Sequence, residues 1–279
     1  MPRPPKNWSK DWAAAWSQGC VWAAASITMA CASAEEPARV ALPVMVDNRG
    51  MTPVQTDLGY DVTLSEARLV VDDLQFTIAG EAHTASLWQL VCDLLIPAAH
   101  AHPGHYQGGD VTGELPGHFI LDLVGSDVAP FGVADLIVGA YESSNFTFGQ
   151  ATASDGLGAG DPLLGHTAHL RGQATKDGVA HRFQIELDAP ADRQLVGAPF
   201  KAQITTSTDV TVGFELMTRD PLEGDTLFDG IDFGALPLGA EGVELRADSP
   251  DPAVVDAYNC LRRTFMTHDH FKLSVNGAE

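Results

Sequence analysis

The sequence predicts a mostly-β fold, a single sandwich- or barrel-like domain with two short helical excursions. Three observations carry that expectation. Apolar residues alternate with polar ones in many short runs, glycine and aspartate turns separate the runs, and two segments only switch to helical spacing. The chain has 279 residues, of which 45% are hydrophobic, so it can bury a real core. Its formal charge of −21 opposes binding to nucleic acid or to anionic membrane surfaces and is compatible with cations.

The first 34 residues read as an export signal. Arg3, Lys6 and Lys10 precede an apolar stretch, Gly19 to Ala34, and Ala32-Ser33-Ala34 forms a small-residue cleavage site before Glu35. A lipoprotein signal ending at Cys31 is the competing reading, and it would leave a lipid-anchored product. The apolar run is shorter than the roughly 20 residues a membrane span needs, so no transmembrane segment is expected. Residues 35–279 then form one domain, placed in the periplasm or secreted. Cleavage leaves Cys92 and Cys260, and two cysteines in an exported chain predict one disulfide.

The strands follow in order. Leu74, Phe76 and Ile78 alternate against Gln75 and Thr77. Residues 118–123, 135–141, 145–149, 167–175, 181–187 and 210–216 follow the same pattern, and Lys176-Asp177-Gly178 marks a hairpin between two of them. His181 alternates with Phe183 and Ile185 and is expected to face inward. Leu87, Leu90, Val91, Leu94 and Leu95 have helical spacing ahead of Pro97. A stronger helix is expected over about 251–266, with Ser249 or Asp251 as cap, Pro252 in the first turn, and a stripe of Val254, Ala257, Tyr258, Leu261 and Phe265. A last strand is expected through Phe271, Leu273 and Val275, with His268, His270 and Lys272 on its other face.

Histidines carry the functional reading. The loop 96–110 holds His100, His102 and His105, and its glycines let three imidazoles turn toward one ion. His268 and His270, on one strand face, make a second chelating pair. His100 lies eight residues after Cys92 and His268 eight residues after Cys260, so a disulfide would tether both elements to one spot. This predicts a copper or zinc site from His100, His102, His105, His268 and His270. His83, His118, His166 and His169 are further candidate ligands. The acidic stretch from Asp220 and Glu223 to Asp225, Asp229 and Asp232 offers oxygen donors for calcium, without the EF-hand spacing.

No H-E-x-x-H, G-x-S-x-G, P-loop or dinucleotide fingerprint is present, and no C-x-x-C-H for haem. The Gly-rich run 156–160 reads as a loop, and the sequon Asn145-Phe-Thr147 falls inside a strand pattern. The leading function is therefore transition-metal binding for storage, delivery or sensing, with another exported or outer-membrane protein as a partner. A glycan- or protein-binding β-sandwich with incidental histidines is one alternative. A metal-dependent hydrolase or oxidase is the other, and it would need a base such as Asp110, Glu114 or Asp269.

The stretches GYDVTLSEARLVVDDLQFTI, GVADLIVGAYESSNFTFG, LRGQATKDGVAHRFQIEL and TLFDGIDFGAL span much of residues 59–236. Together they resemble the MbnP-like family of exported bacterial proteins, some of which bind copper. The resemblance implies an exported β protein linked to copper. The family's copper-binding members use tryptophan-rich segments, and in some a tryptophan is oxidised to become part of the copper site. Here Trp88 is the only tryptophan after residue 34, so that ligand set does not carry over.

Overall fold

In the computed structural model, the described residues are 37–78, 109–125, 129–207 and 209–276. The export segment, the helix expected over 87–95, His83, Cys92 and the His100–His105 loop lie outside them. Half of the fold is strand, in one curled, half-barrel sheet, with a single α-helix among the described residues, as the period-2 runs predict.

Twelve strands build the sheet. They are β1 (Arg39–Val46), β2 (Val54–Gln55), β3 (Asp61–Thr77), β4 (Val111–Asp122), β5 (Gly132–Ile137) and β6 (Gly139–Phe148). The remainder are β7 (Ala168–Lys176), β8 (Val179–Leu187), β9 (Gln194–Ile204), β10 (Thr211–Leu216), β11 (Val243–Leu245) and β12 (Phe271–Asn276). The main path runs β11-β8-β7-β3-β4-β5-β1-β10-β12. The long β3 is the pivot. Its first half pairs with β7 as far as Leu69↔Ala168, and from Val71↔Phe148 the same strand pairs with β6, which in turn carries β9. The sheet therefore branches at Val70, and residues 149–167 cross the outside of the branch as a strap.

The Lys176-Asp177-Gly178 signal does form the β7–β8 hairpin. Lys176 pairs with Val179, and Asp177 and Gly178 take φ of 51° and 77°, both positive as a two-residue hairpin turn requires. The expected single strand over 135–141 is instead two. The chain breaks at Val138, because β5 pairs with β1 whereas β6 turns to β3 and β9. Composition gave no hint of that change of partner.

One apolar face supplies the core. Phe146, Phe148, Phe214 and Phe271 pack edge-on or tilted, with ring centroids from 5.1 to 6.0 Å apart. The helix α1 (Pro252–Phe265) closes that cluster through Phe265, 5.7 Å from Phe271. All five residues of its expected stripe are buried, and Asp251 caps it by accepting from Ala253 N. A second, small apolar cluster of Val70, Ala151 and Leu163 lies under the strap.

The expected strand over 268–275 begins late. Phe271 and Leu273 are buried as predicted, but His268–His270 is a 3-10 turn. Pairing with β10 starts at Leu216↔Phe271, and Met217 N donates to the His270 carbonyl where the chain bends in from α1. His268 and His270 therefore do not share a strand face.

Candidate metal centre

The turn that follows β10 brings oxygen donors together. Asp220, Glu223 and Asp225 each place a carboxylate oxygen within 4.8 Å of the others'. Local hydrogen bonds make this turn. Asp220 is buried, and its two oxygens accept from Leu222 N at 2.8 Å and Glu223 N at 3.1 Å. Asp220 N in turn donates to the Asp225 carbonyl, and Arg219 bridges to Thr226 across the base. Glu223 and Asp225 sit at the surface. Burial pushes the Asp225 carboxyl above its usual range. The charges of Asp220 and Glu223 push the same way, and His270 opposes them. A bound cation would relieve this mutual repulsion.

His270 is near enough to act electrostatically on Asp225, but its ring nitrogens are not among the ligand atoms that lie within 4.8 Å of one another in this trio. It is 1% exposed, and its Nδ1 is 2.9 Å from the Met217 carbonyl. A carbonyl only accepts, so Nδ1 carries a proton, and Nε2 is the ring nitrogen left to offer a lone pair. That Nε2 is buried and has no hydrogen-bond partner among the described residues. A backbone carbonyl that fixes the tautomer through the far ring nitrogen is the usual support of a ligating histidine. His268 is placed differently: its Nε2 is 3.1 Å from Asp269, in the turn.

The other acidic candidates hold loops. Asp229 accepts from Asp57 N, Thr226 N and Thr226 Oγ1, and Asp232 accepts from the Tyr60 hydroxyl at 2.5 Å. These bonds pin 226–234 against the start of β3, away from the trio. Among the described residues Cys260 has no disulfide partner, and its thiol is aimed at the Asp229 carbonyl at 3.4 Å; Cys92, the expected partner, lies outside them.

The three further candidate ligands among the described residues, His118, His166 and His169, each meet carboxylates. His118 on β4 bridges Asp72, at 2.5 Å from Nδ1, and Asp155 of the strap, at 3.2 Å from Nε2. Burial alone would lower its pKa, but the two carboxylates prevail and raise it. His166 reaches Asp188 at 2.8 Å and Glu186 at 3.7 Å. His169 is fully buried beneath the strap, with Nδ1 3.0 Å from Glu66, and desolvation lowers its pKa. Beside it Arg68 forms two bonds, of 2.8 and 2.9 Å, to Asp161. None of these histidines joins another into a shared site. Their partners lie between 20 (Glu186 from His166) and 103 residues away in sequence, so no spacing rule exposes them. His181 is half-buried and edge-on to Tyr60, with centroids 6.1 Å apart. Asn145 of the sequon is buried and accepts from Gly197 N, so it is a structural strand residue.

No helix among the described residues is long and apolar enough to cross a membrane. No family model matches the chain, and no curated protein matches it. Among solved structures it is similar to MbnP from Methylosinus trichosporium, with 12% identity, a TM-score of 0.36, and coverage of 86% of this chain and 99% of that one.

Proposed function

We propose that this is an exported protein that binds a divalent metal ion, with Asp220, Glu223 and Asp225 as oxygen donors and His270 Nε2 as the nitrogen donor beside them. The observation that carries the reading is the carboxylate trio of Asp220, Glu223 and Asp225, with the buried, unpartnered Nε2 of His270 on an imidazole that acts electrostatically on Asp225. Such a mixed nitrogen and oxygen set favours zinc or copper, for storage, delivery or sensing. His100, His102 and His105 are proposed as the further imidazoles of a copper or zinc centre. A second reading is calcium, favoured by the all-oxygen trio itself.

Calorimetric titration of untagged, chelator-treated protein with Zn²⁺, Cu²⁺ and Ca²⁺ tests both. Zinc or copper binding that weakens in H270A and in D220N/D225N supports the first reading. Calcium binding that H270A leaves intact supports the second. Uptake that survives in D220N/D225N overturns the centre at this turn.

A further inference from the structure

A groove of about 730 Å³ runs between the last turn of α1 and the segment that leads into β9. Three guanidinium groups line it: Arg262 and Arg263 from the helix, and Arg193 from the opposite wall. One carboxylate, Asp256, shares the lining. In a chain with 37 acidic and 16 basic residues, a concentration of positive charge runs against the average. Elsewhere Arg39 pairs with Asp135, Arg49 with Asp47, Arg68 with Asp161 and Arg246 with Asp248, while Arg171 and Arg219 bond an amide and carbonyls instead. Arg193 and Arg263 have no ion pair or side-chain hydrogen bond among the described residues.

Helix electrostatics account for part of this. Cations in a last turn complement the partial negative charge of the helix end, which covers Arg262 and Arg263. It does not cover Arg193, which belongs to another segment. Arg262 is also pre-set. Its Nε donates to the Asp188 carbonyl at 2.7 Å, which fixes the guanidinium plane and leaves both Nη groups to bind elsewhere. Guanidinium forks match the paired oxygens of carboxylate and phosphate. Three forks against one carboxylate exceed what a single carboxylate ligand needs and suit the several anionic and ester oxygens of a phosphate group. The groove is in the size range of small-molecule sites, and Pro190 and Met266 supply apolar wall beside the charges.

We propose that this groove binds a phosphate ester, its phosphate held by Arg193, Arg262 and Arg263 and its organic part lying on Pro190 and Met266. The ester is either a free phosphomonoester or the headgroup of an anionic phospholipid. The inference is independent of the metal centre.

The test uses the full exported protein at low ionic strength. Calorimetry with inorganic phosphate and glycerol 3-phosphate, and co-sedimentation with phosphatidylglycerol or phosphatidylcholine vesicles, provide the probes. The ester is expected to bind more tightly than inorganic phosphate. The double variant R193Q/R263Q should weaken it by about tenfold or more, at unchanged Tm, because both side chains are exposed and hold no other element. Sedimentation with phosphatidylglycerol alone, lost in the double variant, identifies the lipid headgroup. Binding of the soluble ester without sedimentation identifies a free phosphomonoester. The proposal is overturned if no probe binds at millimolar concentration, or if the double variant binds as the wild type does.

Discussion

Replacing Asp225 by Asn should act in opposite directions on the metal-free and metal-loaded protein. In the metal-free state Asp225 faces Asp220 and Glu223 with carboxylate oxygens no more than 4.8 Å apart. Two of the three groups are at the surface, so water screens them. At that separation each pair costs about 1 kcal/mol at the dielectric constant of water. Asp225 belongs to two such pairs, so neutralising it should stabilise the apo protein by about 2 kcal/mol. That corresponds to a Tm rise of roughly 4–8 °C for a domain of this size. The pH dependence has a matching sign. The folded-state pKa of Asp225 is raised, so its penalty is absent in acid and grows as pH rises from the ordinary carboxylate range through the raised value. D225N should flatten that loss of stability. With metal present at about a hundred times Kd, the wild type should gain about 2.7 kcal/mol by mass action. The variant has lost one oxygen ligand and should gain less than about half of that. Differential scanning calorimetry with chelator and with Zn²⁺ reads both arms. An apo Tm that falls in D225N, or a metal-induced shift equal to the wild type's, refutes the electrostatic account of this turn.

Three further outcomes follow from the same geometry. Phe265→Ala removes the ring that joins α1 to the Phe148–Phe271 cluster and should cost about 3–5 kcal/mol in urea unfolding; a loss under about 1 kcal/mol would mean that the helix does not close the core. His118 has a raised folded pKa, so its contribution to holding the strap is full below the unfolded pKa and is lost as pH rises through the folded value. Hydrogen exchange over residues 149–167 should therefore accelerate between pH 5.5 and 8 beyond the intrinsic rate, and H118Q should abolish the excess. Gly178→Ala places a Cβ at φ of 77° in the β7–β8 turn and should destabilise by about 1 kcal/mol in the same urea assay, whereas Gly158→Ala, at ordinary φ and with open space around it, should not.

The sequence by itself determined the features that rest on local chemistry. Alternation alone placed Phe76, Phe183, Ile185, Phe271 and Leu273 in the core, because a strand's side-chain period is fixed at two. Asp251, Pro252 and the stripe to Phe265 defined α1 through its cap and its 3.6-residue period, and Asp177-Gly178 defined a turn that needs two positive φ angles. Local pattern also marked the stretch from Asp220 to Asp232 as acidic. It did not show which of those carboxylates converge, since that depends on what each oxygen already holds. Asp229 is spent on Asp57 and Thr226, and Asp232 on Tyr60, across 172 residues of sequence. The exchange of β3 from β7 to β6 at Val70 left no trace in the alternation, because both partners need the same face buried. The histidine pair shows the limit most plainly. His268-x-His270 reads as a chelating strand face, yet only the register of β12 on β10 decides where the strand begins. That register starts at Phe271, and so it turns His268 toward Asp269 and buries His270 against the Met217 carbonyl.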